Sequence, residues 1–114
     1  MATLTGRDTR SHTELPTFAV LTDQGRVRLV LAGSIDQLCM ADLEEAVSET
    51  VRTGLPVEVD TRHVTFMDSA GIGALRTLAI TSPHGVTFIE PAEVVRFLLH
   101  VTHLDATVEI VRKG

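Results

Sequence analysis

Asp68-Ser69-Ala70-Gly71 is the stretch of this chain whose residue types and spacing could do chemistry. Val57 to Asp60 before it reads as a buried strand followed by a short polar turn, and Ile72-Gly73-Ala74-Leu75 after it opens an apolar helix. Ser69 therefore falls at the positive end of a helix, near the surface. A serine there has three open roles. It, or Asp68, can cap the helix by accepting a hydrogen bond from a first-turn amide. It can receive a phosphate, which the orphan amides and the helix dipole would tolerate and which adds about −1.5 to −2 charge. It can act as a nucleophile, which requires a base, an orienting acid and oxyanion donors. The Gly-x-Ser-x-Gly elbow is missing, and His12, His63, His84, His100 and His103 form no recognisable partner motif, so no catalytic residue is expected.

The other candidates are weaker. Gly71-Ile72-Gly73 lacks the third glycine of a dinucleotide loop and the Lys-Ser/Thr of a phosphate loop, so the small residues read as close packing against the sheet or a partner. His100 and His103 have a possible metal-ligand spacing, but no cysteine or third histidine accompanies them, so no metal and no cofactor is expected. Glu44, Glu45 and Glu49 form an acidic helix face that is either solvated or able to steer a basic partner.

The chain as a whole constrains what can position these residues. Its 114 residues suffice for one apolar core, which is aliphatic because there are four Phe and no Trp or Tyr. A formal charge of −5 without a basic run argues against direct nucleic-acid binding. No apolar run approaches the roughly 20 residues of a membrane span, no signal-type stretch opens the chain, and Cys39 is the lone cysteine; the cytoplasm is the expected compartment.

Residues 1–14 carry no period and read as a flexible lead-in, leaving 15–114 as the domain. Thr17–Leu21 and Val27–Ala32 read as strands joined through Asp23-Gln24-Gly25. A helix follows from Leu38 to about Arg52, with Met40, Leu43, Val47 and Val51 at helical spacing. Strand 57–60, helix 69–81, strand 86–89, a helix from Pro91 and a strand 107–111 complete a ββαβαβαβ order. That order predicts an α/β domain with a mixed, mostly parallel sheet and helices packed on it. The third helix carries more hydrophobes (Val94, Val95, Phe97, Leu98, Leu99, Val101) than one buried face needs; the core is the favoured use, a weak homodimer or partner surface the other.

Three segments in this order resemble the STAS domains of bacterial anti-sigma factor antagonists. Leu31-Ala32-Gly33-Ser34-Ile35-Asp36 is similar to the family's Leu-x-Gly-Glu-Leu-Asp strand end. Phe66-Met67-Asp68-Ser69-Ala70-Gly71-Ile72-Gly73 is similar to its phosphorylation segment, and Arg96 to Asp105 to its third helix. The resemblance implies a non-enzymatic switch. Its partner is an anti-sigma factor that is also a GHKL-type serine kinase, with a serine phosphatase as a further partner. The unphosphorylated form binds the anti-sigma factor and frees the sigma factor. The phosphorylation site maps onto Ser69, and the docking surface onto Ser34, Asp36, Met67, Asp68, Ala70, Gly71 and Ile72. The rival within the family is a regulatory subunit of a lipid-transporting ATP-binding-cassette complex. Ser34 stands where the family usually has Glu, and Gln37-Leu38-Cys39-Met40 lacks the His/Thr character common there. His103 stands where a Gly usually ends the helix, at about 1–2 kcal/mol if the position is left-handed.

Overall fold

A computed structural model describes residues 15–112; the lead-in expected over 1–14 lies outside them. Thr17–Asp23 (β1) and Arg26–Ile35 (β2) form an antiparallel hairpin. Its turn is Gln24-Gly25, both at positive φ (53° and 80°), the two-residue connection whose twist suits a hairpin. Met40–Arg52 (α1) leads to Val57–Met67 (β3), Ser69–Thr81 (α2) to Val86–Ile89 (β4), and Glu93–Val101 (α3) to Glu109–Val111 (β5). The sheet order is β1-β2-β3-β4-β5, with β2 to β5 parallel, as the alternation of strands and helices predicts.

Each parallel crossover steps in the same direction along the sheet. Right-handed crossovers therefore lay all three helices on one face, where α1 packs on α2 and α2 on α3. Val27, Leu29, Leu31, Val57, Val59, Val86 and Phe88 face those helices and are buried with Leu43, Leu75, Leu78, Val95 and Leu99. The alternate residues face away. There Arg26 and Arg28 donate to opposite oxygens of Glu58 (2.7 and 2.9 Å), a charged ladder that keeps the helix-free face wet.

The polar turn expected after Asp60 is instead strand. β3 runs on to Met67, and Thr61–Arg62 is accommodated as an irregularity between the pairs Val30↔Asp60 and Ala32↔His63. Arg62 folds back to give Asp60 one backbone and two side-chain hydrogen bonds (3.1–3.2 Å) and reaches Glu90 at 3.1 Å. Burial pushes the Asp60 carboxyl up, but Arg62 outweighs it and holds the group below its usual range.

The helices also differ in detail from expectation. A 3-10 turn, Gln37–Cys39, precedes α1, whose buried face is Leu43, Ala46, Val47 and Thr50; Met40 and Val51 lie to one side. Thr50 joins the core because its hydroxyl donates to the Ala46 carbonyl at 2.8 Å. In α3 the core takes Val95 and Leu99, with Val94 and Leu98 partly buried against it, as the favoured reading has it; Phe97 and Val101 are exposed.

His103 ends this region in the left-handed conformation (φ 62°). Replacing it by glycine removes about 1–2 kcal/mol of strain against about 0.5–1 kcal/mol of added unfolded-state freedom. His103→Gly is expected to raise stability by about 0.5–1 kcal/mol in urea titration. The Arg28 hydrogen bonds, aided by Arg26, hold Glu58 below the usual carboxylate range. Its contribution is thus present above the unfolded pKa of about 4.3 and lost as pH falls through the lower folded value. Glu58→Gln should lower stability at pH 7 and flatten the acid arm of the stability–pH curve.

Candidate functional site

Beyond the pairs Val30↔Asp60 and Thr17↔Ala32, β2 and β3 continue without β4 or β1 beside them, pairing Gly33↔Val64, Ser34↔Phe66 and Ile35↔Met67. This two-stranded extension carries Asp36 at one tip and Asp68-Ser69 at the other. The tips are tied together by the Asp68 amide, which donates to the Ile35 carbonyl at 3.2 Å. Gly33 makes the base of the extension possible. Its φ is +85°, and a Cβ there would stand 2.3 Å from the Leu15 carbonyl oxygen, so only glycine fits under the incoming chain.

Both aspartates cap. Asp36 accepts from the Leu38 amide at 3.0 Å and opens the 3-10 turn; Asp68 accepts from the Gly71 amide at 3.1 Å and opens α2. The Cys39 thiol donates to the Asp36 carbonyl at 3.2 Å, and burial pushes its pKa up, which keeps it a protonated packing group. Of the two residues able to cap α2, Asp68 therefore does so, and Ser69 occupies the first helical position with its side chain exposed. The amides of Ser69 and Ala70 have no acceptor within the helix and stand beside that hydroxyl.

The sequence-named residues divide by burial. Ser69 is exposed, and Asp36, Asp68 and Ala70 are half-buried, so these four form the outer surface of the tips. Ser34, Met67, Gly71 and Ile72 are buried beneath them. Gly71 is small for an internal reason: a Cβ would meet Met67 Cγ at 2.7 Å and Ile35 Cγ2 at 3.2 Å, so α2 sits on the sheet only because this position has no side chain. Ser34, with its hydroxyl sealed inside, shapes the surface from below and offers no contact of its own. One residue that the sequence reading passed over joins the surface: Leu38, 79 % exposed beside Asp36. Its signal was available, since it falls outside the helical spacing of Met40, Leu43 and Val47.

Among the described residues no histidine hydrogen-bonds Ser69, and no group of three His, Cys, Asp or Glu could hold a metal. His100 instead meets Asp105 at 3.2 Å. Among the described residues no helix is long and apolar enough to cross a membrane.

The family model described as "Mlab, STAS domain" matches residues 18–112. An anti-sigma factor antagonist from Mycobacterium paratuberculosis is similar in structure, with a TM-score of 0.77 and 23 % identity over 84 % of this chain and 85 % of that one. The Bacillus cell-fate determinant SpoIIAA in its phosphorylated form has a TM-score of 0.68 and 16 % identity over 86 % and 92 % of the two chains. Its unphosphorylated form gives 0.64 and 16 % over 86 % and 90 %. No curated protein matches the sequence.

The cap assignment is directly testable. Asp68→Ala should cost about 1 kcal/mol and speed hydrogen exchange of the Gly71 amide. Asp68→Asn, which keeps an acceptor, should stay within a few tenths of a kcal/mol of wild type.

Proposed function

The chain belongs to the STAS domain family, and from that premise we propose that it is a non-enzymatic anti-sigma factor antagonist whose partner binding is set by phosphorylation of Ser69. The observation that carries this reading is the separation of roles at the start of α2. Asp68 supplies the cap and Ser69 leaves its hydroxyl exposed at the positive helix end. In this scheme the cytoplasmic, unphosphorylated chain binds an anti-sigma factor, a GHKL-type serine kinase, and a sigma factor is released. The kinase then transfers the γ-phosphoryl group of ATP: the Ser69 oxygen bonds to phosphorus, ADP leaves, and the hydroxyl proton passes to a base on the kinase. A serine phosphatase hydrolyses the ester and resets the chain.

The charge arithmetic favours a switch without a large rearrangement. The fold can hold the dianion, because two open amides and the α2 dipole face it. A docked partner faces the same dianion beside Asp36 and Asp68, and an unfavourable charge contact across an interface costs several kcal/mol. Even about 2–3 kcal/mol changes affinity roughly 30- to 150-fold. Partner contact falls on Ser69, Asp36, Asp68, Ala70 and Leu38, with Ser34, Met67, Gly71 and Ile72 as the packing that holds them.

Incubation with the kinase and ATP should add one phosphate, and Ser69→Ala should abolish labelling. Ser69→Asp should weaken anti-sigma binding about tenfold or more in calorimetry, whereas Ser69→Ala retains it. Equal binding by both variants would sink the charge mechanism. Binding to a lipid-transporter subunit in place of an anti-sigma factor would change the partner assigned here.

A further inference from the structure

The outward side of α3 carries a phenyl ring that the core does not use. Val95 and Leu99 pack inward; Phe97, midway between them in sequence, points the opposite way and is 63 % exposed. Glu93 and Val101, one turn to either side of Phe97, extend the exposed stripe. Beside the ring lies a hollow of about 420 Å³. It is lined by Glu93, Arg96, Phe97 and His100 of α3, by Asp105, and by Ile110 of β5. A projecting aromatic ring next to a hollow of this size gives the same small patch both halves of a contact.

The order of charges along this face says what the other half is. The acid, Glu93, precedes Phe97 by four residues, and the base, His100, follows it by three. Among the described residues neither Glu93 nor Arg96 has an ion-pair partner. His100 meets Asp105 through Nδ1 at 3.2 Å and keeps Nε2 for a second contact. When two α3 helices run antiparallel about a two-fold axis at Phe97, residues equally far before and after Phe97 face each other. Glu93 of each copy then falls within about 1.5 Å, along the helix axis, of His100 of the other. The two Phe97 rings meet at the axis, and each Arg96 lies beside Phe97 of the other copy, where a guanidinium can sit on the ring face. A parallel pair would set Glu93 against Glu93. The face is therefore complementary to itself in one orientation, which is what a two-fold interface requires.

We infer that the outward face of α3 binds a second copy of this chain, the two α3 helices antiparallel about Phe97 with Glu93 of each against His100 of the other. The inference goes beyond the Ser69 switch and does not rest on it. Phe97 is the anchor, since a buried aromatic ring at the centre of a contact carries most of its energy. The dimer is weak. A helix of 9 residues covers less than the roughly 1,200 Å² at which stable interfaces begin, so the dissociation constant falls on the order of 10–1,000 μM.

The test is sedimentation equilibrium of the full chain up to about 1 mM, with a thermal melt of every variant to show that it is folded. The wild-type chain should pass from monomer to dimer over this range. Phe97→Ala, at an exposed position, should stay folded and dimerise roughly tenfold or more weakly. Glu93→Lys and His100→Glu should each dimerise about threefold or more weakly, because each sets like charges against one another. An equimolar mixture of the two should associate more tightly than either alone, since Lys then meets Glu and the native acid meets the native base. A wild-type chain that stays monomeric throughout overturns the inference and leaves this face to residues 1–14 or to another protein. A dimer unchanged by Phe97→Ala overturns the surface. Two charge variants that gain nothing on mixing overturn the antiparallel pairing, and the inference with it.

Discussion

The parallel pairing of β2 with β3 outlasts the rest of the sheet. β1 leaves it after Ala32, and β4 pairs only as far as Asp60, but β2 and β3 stay together to Ile35 and Met67. Because the two strands are parallel, both end at the same edge, and the loops that follow them lie side by side. Asp36 and Ser69, 33 positions apart in the chain, share a surface for that reason alone. The pairing in turn depends on Gly33, where the chain entering β1 crosses the strand too closely for any Cβ. A short sequence motif, glycine followed by an acidic loop, is thus a steric condition for the site as well as part of it.

Charge at that edge is arranged to satisfy the backbone first. Asp36 and Asp68 accept from amides that the helix starts leave over, and such bonds to ionised acceptors are stronger than neutral ones. The successive crossovers also bring the starts of α1, α2 and α3 to the same end of the sheet. Their dipoles present positive potential there. The domain is consequently tolerant of added negative charge at its Ser69 end, and selectivity against that charge falls to whatever binds. In the switch proposed for Ser69, this separation is what would let a modification alter association while the folded state stays much the same.

Much of this was legible in the sequence where local chemistry decides the outcome. Asp23-Gln24-Gly25 specifies its turn, Pro83-His84-Gly85 ends α2, and the alternation of strands and helices dictates parallel pairing. The mixed, mostly parallel sheet and a serine near the surface followed. Legibility failed where a partner distant in sequence, or a hidden polar group, decides. Thr61-Arg62-His63 looks like a turn until Arg62 is seen bridging Asp60 and Glu90. Thr50 looks like a surface residue until its hydroxyl is seen on the Ala46 carbonyl. Asp68 and Ser69 are equally good caps on paper, and only the extended backbone at Asp68, with its carboxylate on the Gly71 amide, assigns the cap to the first of them. The two glycines of Gly71-Ile72-Gly73 read alike in sequence, yet one is sealed against Met67 and the other faces open space.

Every strand in this sheet pairs with its neighbours in the chain, with no return to an earlier strand. Such topologies keep contacts local for an α/β domain, and local contacts favour rapid folding. Assembly can proceed in chain order, each βα unit laying down on the edge left by the one before. The unit that holds Gly33, Asp36 and Ser69 is complete at Thr81, before β4, α3 or β5 has been made. β4, α3 and β5 then complete the sheet and the core on the free edge of β3 and buttress that unit.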